Sequence, residues 1–332
     1  MRPVPCSHPF VVYSIVICDP FAGAVREGRI YGRGACDMKA GIAAAIYAAE
    51  AVRRAGVQLA GSVEISATVD EESGGFAGVG WLCERGRIAA SRTDFVIIPE
   101  PLNVDRICIG HRGVYWFEVT THGRIAHGSM PFLGTNAIEH MARIVQAFYQ
   151  ELVPALQHRV TEMPVVPDLA RYPTLNVNAI HGGQPLDHVQ SPCVADRCRA
   201  IFDRRFLIEE GFESTREEIG ALLEHVSATA PDMFYELRDL MVVHPVLTPE
   251  DSPVIGAVDR SIERVLGRPA TLVASPGTYD HKHVERIGGV RDCIAYGPGV
   301  LDLAHQPDEW CAIDDLINST KVLALSLLEL AK

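Results

Sequence analysis

The run Tyr31-Gly-Arg-Gly-Ala-Cys-Asp-Met-Lys-Ala-Gly41 places an acid, Asp37, among glycines and just before a helical pattern in which Ile42, Ala45, Ile46, Ala49 and Val52 recur. Asp70-Glu71-Glu72 and Glu100 each follow a strand-like run, and His305 stands in a Pro-bounded loop, Ala-His-Gln-Pro-Asp-Glu. Asp, Glu and His are the oxygen and nitrogen ligands of zinc and similar divalent ions, and a catalytic ion keeps one position for water. Asp37, Glu72, Glu100 and His305 supply such a set. Glu71 is left over beside a ligand, where a carboxylate can take a proton from water that the ion has acidified. Taken singly, each feature has a plainer explanation. Asp37 would be a helix N-cap worth about 1 kcal/mol, the acidic triplet a solvated turn, and His305 part of a capped surface loop. Their joint occurrence in one chain favours the metal site.

Elements must bring these groups together. From Asp19 to about Leu102 the pattern alternates strand and helix: a short strand at Gly28–Tyr31, a helix over Ala40–Arg54, a strand over Ser62–Val69, a helical stretch from Gly78 to Arg85 and an apolar strand at Phe95–Ile98. Such alternation predicts an α/β sheet with helices on its faces, and ligands bind beyond the carboxyl ends of its strands, where the acids fall. After Pro101 the texture changes. Strands are expected at Gly113–Thr121, Leu175–Ile180, Cys193–Phe202 and Phe234–Val243, with helices at Asn136–Glu151 and Ser214–Val226. That strand-helix-strand-strand-helix-strand order is a self-contained α+β sandwich. It reads as an insertion, because a helix (Val254–Leu266), a short strand (Ile294–Tyr296) and a C-terminal helix (Ile313–Ala331) resume the α/β pattern. The expected domains are 1–108 (catalytic, first part), 109–243 (inserted unit) and 244–332 (catalytic, second part).

A chain of 332 residues suits two domains, and 48% hydrophobic with 22% charged residues is ordinary for a globular protein. The net charge of −12, with no block of Lys or Arg, argues against nucleic acid and anionic membranes as partners. Nine cysteines without a CxxC pattern read as reduced thiols in a cytoplasmic protein, with Cys36 explained by packing. The apolar run Phe10–Cys18 is too short to span a bilayer; with Pro3, Pro5 and Pro9 before it, a short buried strand is expected rather than a targeting signal.

The ordered motifs Tyr31-Gly-Arg-Gly-x-x-Asp-Met-Lys-x-Gly41, Asp70-Glu-Glu72, Pro99-Glu100-Pro101 and Ala304-His305 resemble the aminoacylase and carboxypeptidase family of co-catalytic zinc hydrolases, which includes acetylornithine deacetylase and succinyl-diaminopimelate desuccinylase. The likeness runs from about Asp19 to the C-terminus. It implies an α/β catalytic domain carrying an inserted lid and dimerisation domain. It also implies that Asp37 bridges two metals, Glu71 is the general base, Glu72 and His305 ligate one metal and Glu100 the other, with a cis peptide after Asp37. His127, in Gly123-Arg-Ile-Ala-His-Gly-Ser, matches a histidine that enters the partner subunit's site to hold the oxyanion. Arg205, in Asp203-Arg-Arg205, matches an arginine that grips a substrate carboxylate, with Arg204 as the alternative. Ser275-Pro-Gly-Thr-Tyr-Asp280 and Gly297-Pro-Gly299 correspond to cleft loops, which makes Thr278 and Gly297 candidate substrate-binding residues.

The departures are as informative. Relatives carry a His-x-Asp motif upstream of the segment found here as Asp19-Pro-Phe21, and none precedes Asp37. The sequence therefore reads as N-terminally truncated, with His8 the sole nearby imidazole. An Asn expected after the lid's Gly-Gly is also missing near His181-Gly-Gly183, where Asp187-His188 stand. The expected activity is hydrolysis of an amide in a small N-acyl amino acid, dipeptide or related substrate by a zinc (or cobalt or manganese) homodimer. One ion per chain is favoured over two, because the site of Asp37 and Glu100 is short of a ligand. Two other outcomes stay open: a non-catalytic metal-binding or interaction protein that keeps the dimer lid, and an inactive truncated product.

Overall fold

The computed structural model describes residues 18–184 and 192–331. His8, most of the Phe10–Cys18 run and the pair Asp187-His188 lie outside them. Strands β1 (Ala24–Arg26) and β2 (Arg29–Tyr31) pair antiparallel. The chain then passes through Gly34, in the left-handed region at φ 75°, and Asp37 into α1 (Ala40–Arg54). Ala40, Gly41, Ala44, Ala48 and Val52 form the buried stripe of α1, so small side chains at helical spacing let this helix approach its neighbours closely. A short helix, α2 (Trp81–Glu84), precedes β3 (Val96–Ile98) and β4 (Arg106–His111).

Next come β5 (Gly113–His122), α3 (Ala137–Ala147), α4 (Val153–Leu156), β6 (Thr174–Gly182), β7 (Arg197–Phe206), α5 (Phe212–Ala228) and β8 (Phe234–Val243). The chain closes with β9 (Val246–Leu247), α6 (Pro253–Leu266), β10 (Thr271–Ser275), α7 (His281–Arg286), β11 (Cys293–Ala295), β12 (Trp310–Ala312) and α8 (Ile313–Leu330).

The body is α/β. Its sheet runs β10-β4-β11-β3, with β9 added beside β4, and both faces are covered. Ile107 and Ile109 of β4 point to one side, where they pack with Ala44 and Ala48 of α1, Val258 and Ile262 of α6 and Val322 and Leu323 of α8. Cys108 points to the other, with Val273, Tyr279 and Val284. The period of two along β4 divides these cores. A three-stranded sheet, β1-β2-β12, stands beside the body and carries the approach to Asp37.

The inserted unit is α+β. Its antiparallel sheet has the order β6-β7-β5-β8. Tyr115, Phe117 and Val119 of the central strand β5, with Phe202 and Phe206 of β7, are buried against Met141, Ile144 and Phe148 from the α3 side and Ile219 and Leu223 of α5. Burying aromatic and aliphatic side chains of this size contributes roughly 1.5–3 kcal/mol each.

Two expectations, and one plainer alternative, need correction. Ser62–Val69 alternates as a strand should, but no described segment pairs with it: it runs without a ladder, with Val63 and Ile65 about 40% exposed. Alternation marks a half-buried surface, whereas a strand also needs a partner for its backbone groups. The strand expected from Cys193 begins at Arg197; Cys193 itself makes only an isolated bridge to His127. Asp37 is not an N-cap, because α1 starts three residues later and Lys39 stands at its cap without a side-chain bond. The strands β4 and β10 went unforeseen, although Ile107-Cys-Ile109 and Thr271-Leu-Val273 are short β-rich runs. Among the described residues, no helix is long and apolar enough to cross a membrane.

Candidate metal centre

Asp37 projects from the loop between β2 and α1, and Glu309, just before β12, holds that loop. The buried Glu309 carboxylate accepts the backbone N–H groups of Gly34 (3.1 Å), Cys36 (2.8 Å) and Asp37 (2.9 Å), and Arg33 Nη1 donates to it at 2.8 Å. Burial pushes the Glu309 carboxyl up, but the three N–H groups and the guanidinium outweigh it and hold the group below its ordinary value. The Asp37–Met38 peptide is cis. The Asp37 side chain is largely covered, with 17% of its surface exposed.

Four loops bring their groups to one place. His305 Nε2 lies 2.9 Å from Glu72 Oε2 and 3.6 Å from Asp37 Oδ2. One donor atom from each of Asp37, Glu72 and His305 falls within 4.8 Å of the others. Glu100, at the carboxyl end of β3 and only 7% exposed, is hydrogen-bonded to Asp37. Gly41 and Gly297 make that approach possible: a Cβ on either would meet the Pro99 carbonyl oxygen, at 2.1 and 2.3 Å. Gly297 is thus buried against the backbone of Pro99 and Glu100. Thr278 is half-buried in the loop after β10.

Crowding leaves its mark on ionisation. Burial, then the neighbouring Glu72, pushes Asp37 above the usual carboxylate range. Burial, then Asp37, pushes Glu100 well above it. Glu71 is pushed up to about 7 by burial and then by Asp280. Carboxylates gathered out of water repel one another, and a divalent cation among them reverses that cost. The donor set fits such an ion: two oxygens and an imidazole nitrogen around one position, with a third carboxylate beside Asp37.

Two groups that the sequence did not single out also belong here. Asp280 and Lys282 are buried, with Lys282 Nζ 4.0 Å from Asp280 Oδ1. Burial lowers the Lys282 pKa, while Asp280, Glu71 and Glu100 act to raise it, so the ammonium faces the same acidic cluster. His283 Nε2 donates to Gly74 O at 2.7 Å, tying α7 to the turn that carries Glu71 and Glu72. Asp280 ended a loop recognisable in the sequence. His281-Lys-His283 looks like an ordinary polar helix start, and only burial distinguishes it.

His127 and Arg205 sit on the α+β unit, apart from the ligand cluster. His127 is exposed, and its Nδ1 accepts the Ser129 N–H at 3.2 Å. Nδ1 also lies 2.8 Å from the Ser129 hydroxyl, so Ser129 engages this nitrogen. Arg205 forms a two-pronged pair with Asp203, at 2.7 and 2.9 Å. Arg204 is fully buried and bonded to Glu210 at 2.6 Å, so it is no alternative to Arg205.

The sequence pattern of peptidase family M20/M25/M40 matches residues 11–329. A succinyl-diaminopimelate desuccinylase from Methylobacterium radiotolerans is 30% identical over 311 residues, covering 92% of this chain and 74% of that protein. Among solved structures, the metallo-carboxypeptidase Sso-CP2 from Sulfolobus solfataricus superposes with a TM-score of 0.71 at 21% identity, over 97% of this chain and 82% of that one. The YXEP protein of Bacillus subtilis, described as a dinuclear metal-binding peptidase, gives 0.63 at 16% identity over 90% and 74%. The two structures share the fold with this chain.

Proposed function

The chain belongs to peptidase family M20/M25/M40 and is a metal-dependent amide-bond hydrolase, and we propose that it cleaves the amide of a small N-acyl amino acid or dipeptide that carries a free carboxylate. The convergence of Asp37, Glu72 and His305, with Glu71 beside them at a pKa of about 7, is the observation that carries this reading.

A zinc ion, replaceable by cobalt or manganese, would be held by Asp37, Glu72 and His305, with Glu100 and Asp37 offering a second, weaker position. When bound, it supplies Lewis-acid polarisation of the carbonyl and lowers the pKa of water. Glu71 takes the proton of the attacking water and passes it to the leaving nitrogen; a carboxyl with a pKa near 7 suits both transfers. His127 Nε2–H, from the partner subunit, donates to the developing oxyanion. Arg205 receives the substrate carboxylate, and Thr278 and Gly297 border the cleft. Glu309 keeps Asp37 aimed.

In this reading residues 1–108 and 244–332 form the catalytic domain and 109–243 a lid through which two copies pair. The edge strand β6, with Ile180 56% exposed, supports pairing at that edge. The free cysteines, eight among the described residues, support a cytoplasmic location.

The test is turnover of N-acetyl and N-succinyl amino acids by chelator-treated protein before and after zinc or cobalt is restored. Activity should vanish and return with the metal, and calorimetric titration should give one tight equivalent per chain. Turnover indifferent to chelation would defeat the reading, and two tight equivalents would defeat the single-ion assignment.

A further inference from the structure

β7 alternates strictly: Ala200, Phe202 and Phe206 point into the core under the helices, while Asp203 and Arg205 share the opposite face. Arg205 Nε donates to Asp203 Oδ1 at 2.7 Å and Nη2 donates to Oδ2 at 2.9 Å. These bonds use one edge of a planar guanidinium that carries five N–H groups. The end edge, Nη1 with the second N–H of Nη2, makes no other hydrogen bond among the described residues. Arg205 keeps about a quarter of its side-chain surface exposed.

The surroundings favour an anion. Arg112, 6% exposed, gives its guanidinium hydrogen bonds to backbone carbonyls alone, Pro276 O at 3.1 and 3.3 Å and Tyr172 O at 2.9 Å. Arg112 and Arg205 feel each other's charge, and Asp203 also acts on Arg112. Two guanidiniums against one carboxylate leave a net positive charge where the loop after β10 meets the α+β unit. Pro276 belongs to the same loop as Thr278.

We propose that Asp203 is a positioning residue for substrate recognition: it clamps Arg205 by the Nε/Nη2 edge, so that the Nη1/Nη2 edge is presented, already aimed, to the carboxylate of the substrate. The inference rests on the reading of Arg205 given above. An arginine held by one edge gives up its rotamer freedom before substrate arrives, and its other edge meets a carboxylate with the bidentate geometry that selects it over a neutral amide. Asp203 touches no reacting atom; it acts through Arg205.

The experiment uses the zinc-loaded protein, as the whole 332-residue chain, with Asp203→Ala, Asp203→Asn and Arg205→Met. N-acetyl and N-succinyl amino acids are compared with their C-terminal carboxamides, and binding of the free product amino acid is followed by calorimetry. Circular dichroism checks that each variant is folded, and Asp203→Asn keeps the shape of the site should the alanine variant not be. Arg205→Met should raise KM for the acids and not for the amides. Asp203→Ala should do the same, by about tenfold with kcat within twofold, and Asp203→Asn should fall between. A lower KM for the acids in Asp203→Ala would mean that Asp203 blocks the site, and equal changes for acid and amide would mean a merely structural role; either overturns the proposal. An Arg205→Met protein whose acid-to-amide preference is intact would remove the reading of Arg205, and the role of Asp203 with it. A shifted preference in Arg205→Met alone would remove only the role of Asp203.

Discussion

In the α/β body the carboxyl groups of Asp37, Glu71, Glu72 and Glu100 crowd together with one imidazole, His305, and the buried Lys282 beside them. In the α+β unit the buried carboxylates are matched. Glu210 meets Arg204 at 2.6 Å and Arg159 at 2.8 Å, and Glu118 lies 3.2 Å from both Arg199 and Arg238. The first region gathers more carboxyl groups than the ammonium of Lys282 and the imidazole of His305 can match, at a cost that a bound cation would offset. The second compensates its charge locally. A site for chemistry and a scaffold can thus be told apart by how their acids are partnered.

The sharpest way to break that contrast is to remove one acid from the body. Glu71→Gln should lower kcat by about 10²- to 10⁴-fold while zinc still binds with its original stoichiometry in calorimetry. Turnover within tenfold of the parent would assign the base elsewhere.

In the α+β unit the corresponding change is Arg204→Met, which leaves Glu210 buried with Arg159 as its one close cation and the Leu207 N–H, at 2.7 Å, as its other donor. Urea denaturation should show a loss of about 3–5 kcal/mol, with metal affinity unchanged. An unchanged midpoint would mean that the pair adds nothing to the unit's stability.

Acidity should separate the regions further. Asp37 and Glu100 have raised pKa values in the folded protein, and a cation needs them ionised. As pH falls, protons compete with the metal, so zinc affinity should drop between pH 7.5 and pH 5.5, with more protons released on binding toward the lower pH, where the free acids carry them. Affinity flat across that window would mean that these acids do not hold the ion. The smallest effect belongs to the surface. Arg238 is 64% exposed, so Arg238→Ala should cost less than about 1 kcal/mol of stability and leave activity alone.

Much of this molecule was legible in the residues. The α1 span, β8 and the strand-helix-strand-strand-helix-strand order of the α+β unit follow from apolar periodicity, because each element buries one face and shows that face in its spacing. The short body strands β4 and β10 did not announce themselves, since runs buried on both faces lose the alternation that marks a strand. Ser62–Val69 failed in the opposite sense, carrying the pattern without a described partner.

The order of the motifs was enough to nominate Asp37, Glu71, Glu72, Glu100 and His305, because metal chemistry restricts which side chains can serve and the family likeness orders them. Their meeting at one point was a tertiary outcome, since groups so far apart along the chain are joined only by the packing of α1, β3 and the loop before β12. The same packing decided that Glu309 pins the Asp37 loop, that burial lifts Glu71 to about 7, that Lys282 faces the acids, and that Arg204 is spent inside the core while Arg205 stays open. Residue type limits what a side chain can do. Its neighbours, its burial and the edge it leaves exposed are properties of the folded chain, and those set charge, pKa and reach.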